Sequence, residues 1–584
     1  MTKSPSCHRY LKGTVAALLL LVSACSTSNH ADLVLYNGTI WTVDAGNPTA
    51  EAVAIRDGKF VAVGRRAEVQ KWQGADTRTI DLGGKFVLPG FNDNHVHFAS
   101  AARFLEFNIM KASTQEEFVA RVQRVLQTLR PGEWILGGLW GAYDQWASGS
   151  AGGQSRTAFA PDMLRIEALT ADNPMFIRKF DDTEFAVNQT ALHQLGLDPS
   201  NPSEFPGIVF VRNREHEFSG ILRGEGVLPF VTPKLPATFS HQRRLSQTRN
   251  ALAEIRKYGV TNISDMSDDE QLDIYRELRA SGELTVRVHF RHFLDRWQEL
   301  ADQGIKVGSG DAWIRLGSLK GHIDGIMGNS TARFFEPYDN QPGNRGKWRK
   351  LMVDEAGEFV EGKFLGYMLG ADKAGLQLTV HAIGDEANHL LMNYLEELEK
   401  QNGKRDRRFR LVHAQVLAPE DFHRLGELGI VAEVQPFHLS DDMRWMEERI
   451  GHERCRGAYA FKKIVDNGGT LCFGTDWPGT AAAEYPINPM FGLYAATTRQ
   501  TVIGQPAGGW FPEERISMAD AIKAYTLNTA YANFEENIKG SIEVGKVADL
   551  AVLSNNLLES QPEDILKTEV LYTIVGGKVV YQRE

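Results

Sequence analysis

The sequence predicts an α/β protein: a (β/α)8 barrel of the TIM type, carrying a small β domain assembled from both ends of the chain. Three observations lead there. Apolar strand-like runs alternate with helical stretches through the middle of the chain, the pattern of a parallel sheet wrapped by helices. Eight such runs can be placed, the number a closed barrel needs. Short segments of alternating apolar and polar residues, bounded by Asn-Gly, Asp-Gly and Gly-Gly, stand at both termini.

Composition narrows the function classes. The chain has 584 residues, enough for one large barrel with appendages. With 42% hydrophobic and 24% charged residues it is globular rather than disordered. A net charge of −10 leaves no basic excess to neutralise phosphates, so no nucleic-acid partner is expected. A mean hydropathy of −0.30 excludes a polytopic membrane protein. Cys7, Cys25, Cys455 and Cys472 are the four cysteines, and none are spaced as CxxC, which argues against a thiolate zinc knot or a disulfide scaffold.

Residues 1–25 are expected to be a lipoprotein signal peptide. Lys3, Arg9 and Lys12 form a basic region before the apolar run Thr14–Val22, which is too short to span a bilayer as a helix. Val22-Ser23-Ala24-Cys25 resembles a bacterial lipobox, implying cleavage before Cys25 and lipidation of its thiol. Ser26 and Thr27 follow without an acidic residue, which resembles outer-membrane sorting. The expected location is the bacterial cell envelope, facing the periplasm, with membrane contact only through that lipid. The alternative is an ordinary cleaved signal with an incidental cysteine.

Residues 32–86 and 540–584 are assigned to the composite β domain. Asp32–Val43 and Ala52–Gly64 read as hairpins around Asn37-Gly38 and Asp57-Gly58, and Val570–Val580 as one around Gly576-Gly577. Residues 87–539 are assigned to the barrel. Its candidate strands are Phe86–Gly90, Val260–Asp265, Val286–Phe290, Leu316–Gly321, Leu378–Ala382, Phe409–Ala414, Ile430–Gln435 and Thr470–Gly474. Between the first two lies an unusually long stretch, about residues 100–255, rich in Trp, Gly and Pro, which reads as an inserted subdomain over the barrel mouth.

The chemistry gathers at strand ends. His95 and His97 are two residues apart, so on extended backbone both side chains face one way and can meet one ion; the bland alternative is a pair of polar loop histidines. Lys320 sits near the end of an apolar strand, where charge is costly. It either snorkels outward or is neutral in place, open to conversion by CO2 into a metal-bridging carbamate. His381 and His413 end consecutive strands, where ligands gather on a barrel's C-terminal face; singly, such a histidine is more often structural. Asp476 follows the last strand, as a helix N-cap or as a carboxylate that binds metal and moves a proton. His438 is either a substrate contact or a loop histidine satisfied by backbone. Trp140, Trp146 and Trp477 are candidates to line an apolar pocket, though large aromatics are more often core.

Together these form HxH, Lys, His, His and Asp in chain order. With Leu88–Phe98 (LPGFNDNHVHF), Gly259–Met266 (GVTNISDM), Lys320–Ala332 (KGHIDGIMGNSTA), Val380–Asp385 (VHAIGD), Leu411–Gln415 (LVHAQ), Gly474–Pro478 (GTDWP) and Gly540–Leu553 (GSIEVGKVADLAVL), the chain resembles the amidohydrolase superfamily. Within it, the resemblance is to the amidohydrolase-3 branch of N-substituted formamide deformylase-like proteins. It covers nearly everything after the leader. It implies a (β/α)8 barrel, a small β-sandwich from the two termini, and one or two divalent metals, with zinc expected. His95 and His97 then resemble ligands of one metal, His381 and His413 of a second, Lys320 the carboxylated bridge, and Asp476 the acid/base. Two departures stand out. A histidine common in this branch is absent from Phe180–Ala186, and His322 stands where a small or apolar residue is usual, making it a candidate substrate contact.

The implied function is hydrolysis of a small-molecule, non-peptide C–N bond, an amide or cyclic amide, by a metal-activated hydroxide. Two alternatives are carried with it: an esterase, lactonase or N-acyl-amino-acid hydrolase on the same site, and an inactive surface-anchored binding lipoprotein.

Overall fold

Eight parallel strands form the barrel in sequential order: β1 (Phe91–Val96), β2 (Val260–Asp265), β3 (Arg287–Phe293), β4 (Ile314–His322), β5 (Gln377–Ala382), β6 (Arg410–His413), β7 (Val431–Val434) and β8 (Thr470–Phe473). This is a computed structural model, and it describes residues 30–110, 112–141, 159–479 and 484–584. The leader with Cys25 and the residue Trp146 lie outside the described residues. Helices on the outside complete the α/β repeat, among them Asp269–Ser281 and Asp385–Asn402. The sequence stops the first of these cleanly. The Asp268 side chain accepts a hydrogen bond from the Gln271 amide at its start, and Gly282 takes the left-handed conformation (φ +76°) at its end.

The barrel closes between β1 and the segment after β8. Val96 bridges Trp477 in parallel, and the Asp476 amide donates to the His95 carbonyl at 2.8 Å. Closure depends on Gly474: a Cβ there would sit 2.6 Å from the His95 amide nitrogen. The same junction that shuts the barrel therefore brings Asp476 beside His95.

Phe86–Pro89, expected as the first barrel strand, belongs instead to the small β domain, where it pairs antiparallel with Leu550–Leu553. The chain passes into the barrel at Gly90, and Phe91 then donates its amide to the Gly259 carbonyl. An unbroken apolar run reads as one strand in sequence. Here it is two, because Val87 faces the core of the small domain while Leu88 and Phe91 face the barrel's.

That domain consists of two sheets. One orders Lys59–Gly64, Ala52–Arg56, Leu33–Tyr36 and Arg78–Asp81; the other orders Lys578–Gln582, Val570–Val575, Leu550–Leu553, Phe86–Pro89, Thr39–Trp41 and Thr49–Ala50. Asp57-Gly58 and Gly576-Gly577 do turn hairpins. Asn37-Gly38 does not. Leu33–Tyr36 already has a neighbour on each edge, so Asn37-Gly38 carries the chain across to the other sheet. Leu35, Ile40, Val53, Ile55, Leu550 and Val552 form the core between the sheets. A buried ion pair, Arg287 Nε to Asp549 Oδ2 at 2.6 Å, ties the start of β3 to the C-terminal strands.

The stretch between β1 and β2 carries its own five-stranded sheet, ordered Val209–Arg212, Phe218–Arg223, Glu184–Val187, Met175–Lys179 and Ile135–Trp140. Trp140 is buried in that subdomain's core. Phe180, directly after Met175–Lys179, reaches the cavity at the barrel mouth. Cys455 and Cys472 are both buried free thiols.

Candidate metal centre

The ends of five barrel strands deliver one cluster. β1 supplies His95 and, one residue beyond its end, His97; β4 supplies Lys320 and His322, β5 His381 and β6 His413. Asp476 follows β8, and His438 comes from the helix Pro436–Asp442 after β7. All eight line one cavity of about 400 Å³. Asp476 Oδ1 lies 3.1 Å from His97 Nε2 and 3.5 Å from His95 Nε2. Lys320 Nζ lies 3.4 Å from His95 Nε2, and His438 Nε2 lies 3.8 Å from Asp476 Oδ2. The His381 and His413 ring centroids are 4.5 Å apart.

Asp476 is not a helix cap. Its φ is +59°, outside the extended region a cap adopts, and it is followed by bridge and turn residues rather than a helix. His413 is left-handed as well, at φ +73°. Such backbone costs free energy in a non-glycine residue and concentrates at functional sites. Trp477, a candidate substrate contact, is buried in the core with its ring 6.0 Å from Phe98, and it is not among the residues lining the cavity. Its ring packs in the barrel's hydrophobic core.

Electrostatics put the ligands in metal-binding form. Burial pushes His95 and His381 down to about 3 and His438 to about 4, and it holds His413 well below the usual imidazole range. The nearby Lys320 adds to the effect on His95, His381 and His413. Neutral imidazoles offer a lone pair. Burial pushes Asp476 up, yet His95, His97 and His438 hold it well below the carboxylate range, so it stays charged. Burial lowers Lys320 to about 7, opposed by Glu433 and Asp476.

The donor set fits a divalent ion. One ligand atom each from His95, His97 and Asp476 lie within 4.8 Å of one another, and so do those from His413, His438 and Asp476. Asp476 Oδ1, 3.1 Å from His97 Nε2, and His438 Nε2 are both buried without a well-aligned hydrogen bond. His381 stands apart from both groups: its Nε2 lies 2.9 Å from the Gly325 carbonyl, which leaves Nδ1 as its remaining donor atom. His413 Nδ1 contacts Gln435 Oε1 at 2.7 Å, leaving Nε2.

Sequence reasoning missed the layer beneath. Glu433 of β7 lies 2.5 Å from His95 Nδ1. Arg291 of β3 holds Glu433 through two bonds of 2.9 and 3.0 Å, and Arg410 of β6 adds a third at 2.9 Å. Although burial opposes its charge, these arginines keep Glu433 well below its usual range. A carboxylate on Nδ1 fixes the tautomer, so that the His95 Nε2 lone pair faces the cavity. The available signal was a charged residue inside each of two apolar runs, Glu433 in Ile430–Gln435 and Arg410 in Phe409–Ala414.

Comparison with known proteins follows the same lines. The profile described as "Amidohydrolase family" matches residues 78–581. The chain belongs to the amidohydrolase family. Protein LONG AFTER FAR-RED 3 of Arabidopsis thaliana is 34% identical, over 94% of this chain and 92% of that one. N-substituted formamide deformylase of Arthrobacter pascens is 24% identical, over 94% and 98%. An uncharacterized metal-dependent hydrolase from Pyrococcus furiosus shares the fold, with a TM-score of 0.69 at 24% identity, covering 90% of this chain and all of that one. As an amidohydrolase, the chain is a metal-dependent hydrolase acting on carbon–nitrogen bonds.

Proposed function

We propose that this amidohydrolase cleaves a non-peptide amide or cyclic amide of a small molecule. The ion or ions would be held by His95, His97, His381, His413, Asp476 and a carbamate on Lys320. Zinc matches this set of imidazoles and carboxylates. Such an ion lowers the pKa of water towards neutrality and polarises a carbonyl oxygen. The protein supplies the rest. Glu433 orients His95. Asp476 Oδ1, 3.1 Å from His97 Nε2, accepts the proton of the attacking water and returns it to the departing nitrogen. His438, with its ring 4.1 Å from that of Tyr485, stands beside Asp476 to contact the substrate carbonyl or the leaving group.

The observation that carries this reading is the setting of Asp476 Oδ1 between His97 Nε2 at 3.1 Å and His95 Nε2 at 3.5 Å. The relative that acts on N-substituted formamides supports the bond type. The test is a panel of amides, cyclic amides and matched esters with metal-replete protein. Turnover of amides that vanishes in Asp476→Asn supports it; turnover confined to esters overturns it.

The proposed location is the bacterial outer membrane, with lipidated Cys25 facing the periplasm, a reading supported by the Val22–Cys25 motif. Cys25→Ala is expected to abolish membrane partitioning. Unchanged partitioning, with no acyl mass on the wild-type N-terminal peptide, rejects it.

A further inference from the structure

A second cavity, of about 380 Å³, adjoins the metal centre. Phe180 and Gly479 line both cavities. Gly479 stands three residues after Asp476 in the chain, and its amide donates to the Asp476 carbonyl at 2.8 Å. The wall that the two cavities share is therefore tied to the residue that carries the proton chemistry. Other walls come from a segment that leaves the metal centre and from the inserted subdomain. The helix Phe98–Glu106, which begins directly after His97, contributes Phe104. Leu136 and Leu139 come from Ile135–Trp140, and Phe239 from the segment before the helix His241–Ile255.

This chamber is apolar where the metal centre is ionisable. Phe104, Leu139 and Phe239 are half-buried, yet among the described residues none of the three belongs to a hydrophobic core. Large apolar side chains that line a common cavity without entering a core form a ligand surface. The backbone arranges them. On a regular strand, residues three apart face opposite sides. Here Gly137 and Gly138 are left-handed, at φ +95° and +64°, and the pairing slips by one residue, from Gly137 opposite Ile177 to Trp140 opposite Lys179. That bulge turns Leu136 and Leu139 to the same cavity. Polar groups on the wall bond one another: Arg178 Nε donates to Asp182 Oδ1 at 2.7 Å, and Arg103 Nη2 to Ser100 Oγ at 3.3 Å.

We propose that this chamber receives an elongated apolar substituent carried on the amide nitrogen, so that the preferred substrates are amides with long N-alkyl groups. This rests on the amide reading above and names its substrate class. In that reading Asp476 protonates the departing nitrogen, and the wall shared with the chamber is bonded to Asp476, which assigns the nitrogen substituent, rather than the acyl group, to the chamber.

The experiment compares N-ethyl-, N-butyl- and N-octylformamide in metal-replete wild type, Leu139→Trp and Leu139→Ala. In wild type, kcat/KM is expected to rise about fourfold for each methylene that enters the chamber. Leu139→Trp, which fills the chamber, is expected to erase the rise while metal content and turnover of N-ethylformamide stay within about twofold of wild type; Leu139→Ala is expected to keep it. N-methylnonanamide, with its chain on the carbonyl side, is expected to gain nothing from Leu139. A second readout needs no turnover: calorimetric binding of octan-1-ol against butan-1-ol. Octan-1-ol is expected to bind at least about tenfold tighter, and Leu139→Trp to remove that difference. A flat series in wild type, a rise that survives in Leu139→Trp, or an equal Leu139-dependent gain for N-methylnonanamide overturns the proposal. Were no formamide cleaved while octan-1-ol binding still depended on Leu139, the amide reading would fall and the apolar chamber would stand.

Discussion

The rim of the barrel and the two-sheet domain at its side are built from similar parts, short strands ended by glycine-rich turns, yet they use burial for opposite ends. In the two-sheet domain, Leu35, Ile55, Leu550 and Val552 are buried against one another, and their contribution is area removed from water. At the rim, His95, His413 and Lys320 are also buried, and burial there pushes ionisable groups away from their usual protonation states. One region stores stability. The other holds two polar atoms, Asp476 Oδ1 and His438 Nε2, without a well-aligned hydrogen bond, which costs stability and keeps them available to a ligand.

Three substitutions sharpen that contrast or break it. The largest effect is expected from Asp476→Asn. Asn tolerates the left-handed backbone at φ +59°, so the fold survives, but it cannot accept and return a proton. A kcat loss of about 10²–10⁴-fold is expected with an unshifted melting temperature; near wild-type kcat across pH 6–9 would remove Asp476 from the chemistry.

Leu550→Ala should do the reverse. Leu550 is fully buried between the sheets, so its truncation is expected to cost about 2–5 kcal/mol of stability. Thermal or denaturant unfolding measures that loss, and kcat of the folded fraction should stay within about twofold of wild type. A proportionate fall in kcat would mean that the two regions are not separable.

Glu433→Gln tests the layer between. It weakens the orienting contact to His95 Nδ1 and leaves Arg291 and Arg410 facing an uncharged group. Metal affinity, measured by chelator competition, is expected to fall about 10–100-fold. The melting temperature should fall with it, because breaking a buried ion pair leaves charge uncompensated. Unchanged metal affinity would reduce Glu433 to a structural ion pair.

Much of the architecture was legible because it is written locally. Period-2 alternation, Asp-Gly and Gly-Gly turns, and apolar runs ending in His or Asp are properties of a few neighbouring residues. What failed was long-range. Phe86–Pro89 reads as an ordinary apolar strand; only its pairing with Leu550–Leu553 assigns it to the small domain. Asn37-Gly38 has the composition of a hairpin turn, but both edges of Leu33–Tyr36 are taken by other strands. Trp477 reads as a substrate-contact candidate in sequence; its packing in the core, against Phe98, is what the tertiary structure decided.

By itself, then, the sequence determined the eight-run alternation, the identity of the ionisable residues at the strand ends and their order, because strand period and side-chain chemistry are set within a few residues. Only the tertiary structure decided who stands beside whom. His95 and Glu433 lie 338 residues apart in sequence and 2.5 Å apart in space. The positive φ of Asp476 and the setting of its Oδ1 between His95 and His97 also arise from barrel closure and from neighbours brought in by other strands. Partnership, and the lack of it, is a property of three-dimensional neighbourhoods, and no local pattern encodes it.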